Sequence, residues 1–157
     1  MAKNVTYFDM AENDYLFLSK TYEDGCVSNA MCYISQNICE RYLKHVIDIS
    51  GAEEDITSIL RTHSLKILKK YIVNNIAQFS CDWNVILQAD GFYYSARYPG
   101  EESFIVDEDD VRECWEAVEE TRNATITYMR LCEGQSMTEK PQHVLDAESV
   151  IEILKDF

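Results

Sequence analysis

Polar and apolar positions alternate with a helical period along almost the whole chain. Over residues 13–24, Tyr15, Leu18 and Tyr22 recur at helical spacing, and Gly25 supplies a C-terminal stop. The pattern then predicts a long helix over residues 28–49, closed by Ser50 and Gly51. Its apolar stripe contains Val27, Met31, Ile34, Ile38, Tyr42, Val46 and Ile49, and Ala30, Tyr33, Cys39 and Leu43 widen it. A stripe this wide belongs to a central helix covered on more than one side. One polar edge carries Gln36, Glu40 and Lys44, each four residues apart. On a solvated surface the Glu40–Lys44 pair is worth roughly a few tenths of a kcal/mol.

Residues 52–61 read as a polar connection. Thr62 is expected to cap the next helix, which carries Leu65, Leu68, Ile72 and Ile76. Asp82 is expected to cap another, running from Trp83 through Leu87 and Tyr94 to Tyr98, where Pro99-Gly100 ends it. After a loop over 100–106, Asp107 is an N-cap, with Glu108, Asp109 and Asp110 in the electropositive first turn. Val106 and Val111 stand at hydrophobic-staple positions. Helix chemistry therefore explains this acidic run without a metal. The helix presents Val111, Trp115, Val118, Ile126 and Met129 to the core, and Arg122 falls on the same stripe. A break over 134–141 precedes a short C-terminal helix with apolar Val144, Val150, Ile151 and Leu154. Five main helices around one wide-faced member make an all-α antiparallel up-and-down bundle of four or five helices. Residues 1–157 form one domain, with 135–157 as a C-terminal extension.

Composition narrows the function classes. Apolar residues make up 46% of 157, enough for one core, and 5 Gly and 2 Pro disfavour a turn-rich β architecture. No apolar run approaches the ~20 residues that span a bilayer, and Met1-Ala-Lys-Asn lacks the apolar core of a signal peptide. Cys26, Cys32, Cys39, Cys81, Cys114 and Cys132 form no close pair, and His45, His63 and His143 complete no ligand set. The expectation is reduced thiols in a cytoplasmic protein without metal or cofactor. The net charge is −14. Such a surface repels a long polyanion and disfavours RNA binding, and Lys66, Lys69 and Lys70 read as a solvated face.

Two fragments carry candidate chemistry: Arg97-Tyr98-Pro99 and Arg122-Asn123. A cation on an apolar stripe needs a partner. Glu40 on the central helix and Asp90 are the acids expected to pair with these arginines as interhelical salt bridges. Alternatively, Arg97, Tyr98, Arg122 and Asn123 line a shallow cleft for a phosphate or nucleotide. Arg suits bidentate phosphate contacts there, and Tyr offers a stacking face. Phe92, Tyr93 and Tyr94 read as core or dimer interface.

The string from Cys32 to Lys44, with Gln36, Glu40 and Lys44, resembles the long second helix of HEPN domains. Thr62-His63-Ser64-Leu65 is similar to the Thr-His-x-Leu that opens their third helix. The segment from Tyr94 to Gly100 resembles the Arg-Tyr-Pro segment of one large HEPN branch. Together these cover about 14–130. The resemblance implies an all-helical bundle that often forms homodimers. Many members sit beside a small nucleotidyltransferase as a toxin–antitoxin pair, and others serve in defence or stress systems.

The catalytic branch of that family is a metal-independent ribonuclease with an Arg, usually a polar residue such as Asn, and then a His a few residues on. Arg122-Asn123 matches the start of that motif. The His positions hold Thr127, Tyr128 and Met129, none of which titrates near pH 7 unperturbed. The resemblance therefore implies a non-catalytic, homodimeric binding or interaction module that engages a nucleotide or a partner protein such as a nucleotidyltransferase. The other readings are a ribonuclease toxin with an altered site using Arg122, Asn123 and His63, and a purely structural subunit.

Overall fold

The computed structural model describes residues 4–139 of the chain. Every regular element among the described residues is helical. Helix α1 spans Tyr7–Glu23 and starts earlier than the pattern predicts. The reason is a capping box: the Thr6 hydroxyl accepts from the Asp9 N–H at 3.1 Å, and the Asp9 carboxylate accepts from the Thr6 N–H at 2.9 Å. Helix α2 spans Asn29–Ile49, from the predicted Ser28 to the predicted Ser50. The helix is central, as its wide stripe requires, and buries Ile38, Cys39, Tyr42, Leu43 and Ile47 completely.

Helix α3 spans Leu65–Asn75. Its cap is Ser64, whose hydroxyl accepts from the Ile67 N–H, and not the expected Thr62. Thr62 instead accepts from the Ser64 N–H, and the extended backbone between them sets His63 beside α2. The helix expected from Trp83 to Tyr98 is in fact two single turns, α4 (Trp83–Ile86) and α5 (Phe92–Ser95), with a 3-10 turn Leu87–Ala89 between them. Gly91 divides them at φ +90°, a backbone that only glycine adopts readily. Asp82 caps α4 as expected.

Helix α6 spans Glu108–Glu139. Asp107 and Asp110 exchange side-chain and backbone hydrogen bonds at its start, and Val106 and Val111 are both buried. The helix passes through Gly134 to Glu139, so over the described part of 134–141 the predicted break does not occur. One interior glycine costs a helix about 1 kcal/mol relative to alanine, too little to end it. The predicted C-terminal helix lies outside the described residues.

Helix α1 runs antiparallel to α2, with Phe8 beside His45 and Glu12 beside Tyr42. It is also antiparallel to α6, with Glu12 at Arg122 and Tyr22 at Trp115. Helices α2 and α6 run parallel: the Asn29 side chain bonds the backbone of Phe104 and Val106, and Thr121 donates to the Cys39 sulfur at 3.4 Å. Residues 50–107 provide the crossover that a parallel pair needs. Small buried residues on α6, Cys114, Ala117, Thr121 and Ala124, repeat at helical spacing and let it approach α2 closely. All six cysteines are free thiols. Burial pushes the Cys39 thiol up to about 12, so it stays protonated at neutral pH.

Candidate functional site

Arg122 lies on the edge of α6 that faces α1. Its Nε donates to Oε1 of Glu12 at 2.7 Å, and Nη2 donates to Oε2 at 3.1 Å. The Tyr42 hydroxyl donates to the same Oε1 at 2.7 Å, and the Tyr15 ring lies 4.4 Å from the guanidinium. Tyr15 is fixed in turn by donating to Glu119 at 2.5 Å and by stacking on Trp115. Burial raises the Glu12 pKa, but hydrogen bonds from Arg122 and Tyr42 and the guanidinium charge outweigh it and hold the carboxyl below its ordinary range. The hydrogen bond to Glu12 raises the Arg122 pKa further. The cation on the apolar stripe thus has its partner, and that partner is Glu12 rather than Glu40 or Asp90.

A second cluster lies between α2, α3 and α5. The Gln36 amide is almost fully buried and bridges two segments: Nε2 donates to the His63 carbonyl at 2.7 Å, and Oε1 accepts from the Tyr93 N–H at 2.6 Å. Glu40 is 3.0 Å from His63 Nδ1 and 3.6 Å from the Lys44 ammonium. Burial raises the Glu40 pKa, and Lys44 and His63 offset part of that rise. The His63 ring stacks on Tyr93 at 4.1 Å. Asp90 accepts from the Leu65 N–H at 2.9 Å and so serves the N-terminus of α3 instead of an arginine. These side chains border an open pocket of about 340 Å³, lined by Gln36, Thr62, His63, Asp90, Tyr93 and Tyr94.

Arg97 and Tyr98 are exposed beyond this pocket. The Arg97 guanidinium stands 4.7 Å from the Tyr93 ring, 5.4 Å from Tyr98 and 5.6 Å from Tyr33, with no carboxylate in ion-pair range among the described residues. The four residues expected to share one cleft do not converge. Arg122 reaches α2 at Tyr42, and Arg97 reaches it at Tyr33, nine positions earlier. On an α-helix that is about 13 Å along the axis and about half a turn around it. Asn123 is exposed on α6. His63 and Arg122 are also on opposite sides of α2, since Glu40 and Tyr42 point about 200° apart.

A model of the HEPN domain family matches residues 6–127. The chain belongs to the HEPN domain family. No curated protein and no solved structure matches it. Arg122 and Asn123 lie on α6, and the residues one to two turns on carry no imidazole: Thr127 is exposed, Tyr128 is buried against Phe79, and Met129 is half-buried. The HEPN-like features of sequence, the Gln36–Glu40–Lys44 ladder and Thr62-His63, meet in space at the second cluster. Sequence reasoning missed Glu12, Tyr42 and Tyr15 as the surroundings of Arg122. Helical spacing placed Tyr15 and Tyr42 on core-facing stripes but gave no register between α1 and α6, and Glu12 precedes the predicted start of the first helix. Among the described residues no group of His, Cys, Asp and Glu is arranged to hold a metal, and no helix is long and apolar enough to cross a membrane.

Proposed function

We propose that this HEPN domain is a non-catalytic, homodimeric binding module that engages a nucleotide or a partner protein. The observation that supports this is the state of Arg122. A ribonuclease needs that guanidinium free to compensate charge on a phosphate, with a nearby imidazole to move a proton. Here the Nε–Nη2 edge of the guanidinium is taken up by Glu12, and the imidazole is missing. Arg97, with aromatic neighbours and no acid partner among the described residues, and the exposed Tyr98 remain available for contacts beyond the chain. A nucleotidyltransferase encoded beside this chain would favour a toxin–antitoxin setting.

The test is a metal-free cleavage assay: the protein incubated with a tRNA pool and with messenger RNA in EDTA, beside Arg122→Ala and His63→Ala. No cleavage is expected. Cleavage lost in Arg122→Ala would overturn the reading. One observation favours a ribonuclease with an altered site as the second reading: Glu40 orients the ring of His63 at the mouth of a pocket. A carboxylate–imidazole pair of this kind can act as a general base. Cleavage lost in His63→Ala and kept in Arg122→Ala would establish it.

A further inference from the structure

We propose that residues 94–105 form the interface through which two copies of this chain associate about a two-fold axis, with Arg97 of each copy meeting Glu101 and Glu102 of the other. The inference rests on the homodimeric reading above and assigns that dimer a surface. A two-fold interface sets one patch against itself, so the patch must be self-complementary. A uniformly acidic or uniformly basic face fails that requirement. Each copy carries a net charge of −14, so its acidic faces repel their own kind. Helix α3 has the opposite fault: Lys66, Lys69 and Lys70 with no acid in the helix, so two α3 faces would set like charges together.

The segment 94–105 carries both signs within a few residues. Exposed Arg97 has no carboxylate partner in its own chain among the described residues, and exposed Glu101 and Glu102 have none from a cation. Around them stand Tyr94 at 65% exposure, Tyr98 at 55% and Ile105 at 87%. Aromatic residues and arginine are the types enriched at protein interfaces, and a cluster of exposed apolar side chains marks a covered face more than scattered ones do. Three tyrosine rings already hold Arg97 in place, so pairing it across an interface loses little further side-chain freedom. A groove of about 290 Å³ beside it, bordered by Ser95, Tyr98 and Phe104, gives the partner's Ile105 a place to enter.

Sedimentation velocity of the full chain and its variants over a range of concentrations tests this. The wild type is expected to sediment as a dimer, at twice the 18.2 kDa of one chain. Ile105→Asp is expected to weaken the dimer by about tenfold or more, as is Arg97→Glu and, separately, Glu101→Arg with Glu102→Arg. Combining the last two sets reverses every charge in the pairing and is expected to restore the dimer. Lys66→Glu with Lys70→Glu should leave the mass unchanged. All these positions are exposed, and far-UV circular dichroism with a thermal melt shows whether each variant is folded. A wild-type dimer indifferent to the 94–105 variants, or a combined variant that stays dissociated, would overturn this surface and leave the dimer reading standing. A wild type that stays monomeric would overturn both.

Discussion

Arg122→Ala removes two charge-assisted hydrogen bonds and a cation–π contact, and leaves the Glu12 carboxylate with the Tyr42 hydroxyl alone. A hydrogen bond to a charged group contributes about 1.5–3 kcal/mol when buried, and an exposed ion pair about 0–1 kcal/mol. The two side chains are 28% and 30% exposed, between those regimes. The expected loss is therefore about 2–3 kcal/mol, including a share for the Tyr15 ring. For a domain of this size that lowers the melting midpoint by roughly 5–10 °C. The assay is equilibrium urea unfolding of the wild type, Arg122→Ala, Glu12→Gln and the double variant. The cycle should return a coupling of about 1–2 kcal/mol between the two positions. A loss below about 0.5 kcal/mol, or a coupling near zero, would refute the argument that Arg122 is committed to the fold. A gain in stability would refute it more strongly, because ligand-facing charges are commonly held at the expense of the fold.

Glu12 is held below its ordinary pKa by Arg122 and Tyr42, so its contribution is complete above about pH 4.5 and is lost as pH falls through the depressed value. Arg122→Ala should flatten that part of a stability-versus-pH curve. His45 is almost fully buried beside Phe8, and burial lowers its pKa although Asp48 and Asp9 oppose this. The unfolded chain then takes up the proton more readily, and stability falls as pH drops below about 6.5. His45→Phe should remove the fall that sets in below about pH 6.5 in chemical unfolding curves. Gln36→Leu should cost about 2–3 kcal/mol and speed amide exchange at Tyr93, because it leaves a buried donor and acceptor without their bridge. Unchanged exchange there would sink the account of Gln36. Thr6→Ala should cost about 1 kcal/mol by removing the capping box of α1, read in the same unfolding experiment.

What could be read from the sequence depended on the range of the interaction. The C-terminal end of α2 and the start of α6 are legible because Ser50 and Asp107 act within one helical turn. The start of α1 was not, since Thr6 and Asp9 precede the clear apolar repeat. The break at Gly91 was missed because a single interior glycine does not declare whether its φ will turn positive. The HEPN resemblance gave the family and named the ladder of Gln36, Glu40 and Lys44, but not what the ladder faces. Arg122 was recognised as a cation needing a partner, yet that partner is 110 residues away in the chain. Helical spacing fixes which side of a helix a residue occupies and says nothing about its axial level against another helix. The shared cleft for Arg97 and Arg122 was drawn without that information.

The parallel pairing of α2 with α6 also bears on how the protein is made. The α1–α2 hairpin is translated before α6, which contributes its third wall. Until α6 emerges, Cys39 of α2 lacks its contact with Thr121 and Glu12 lacks its counter-ion. Chain closure over so long a separation is slower than closure of local hairpins. Until α6 is in place the nascent chain carries an open apolar flank, a state that invites aggregation or chaperone capture. Helix α6 is the closing piece of the assembly, and residues that strengthen its seat, Thr121 and Arg122 among them, govern how long that exposure lasts.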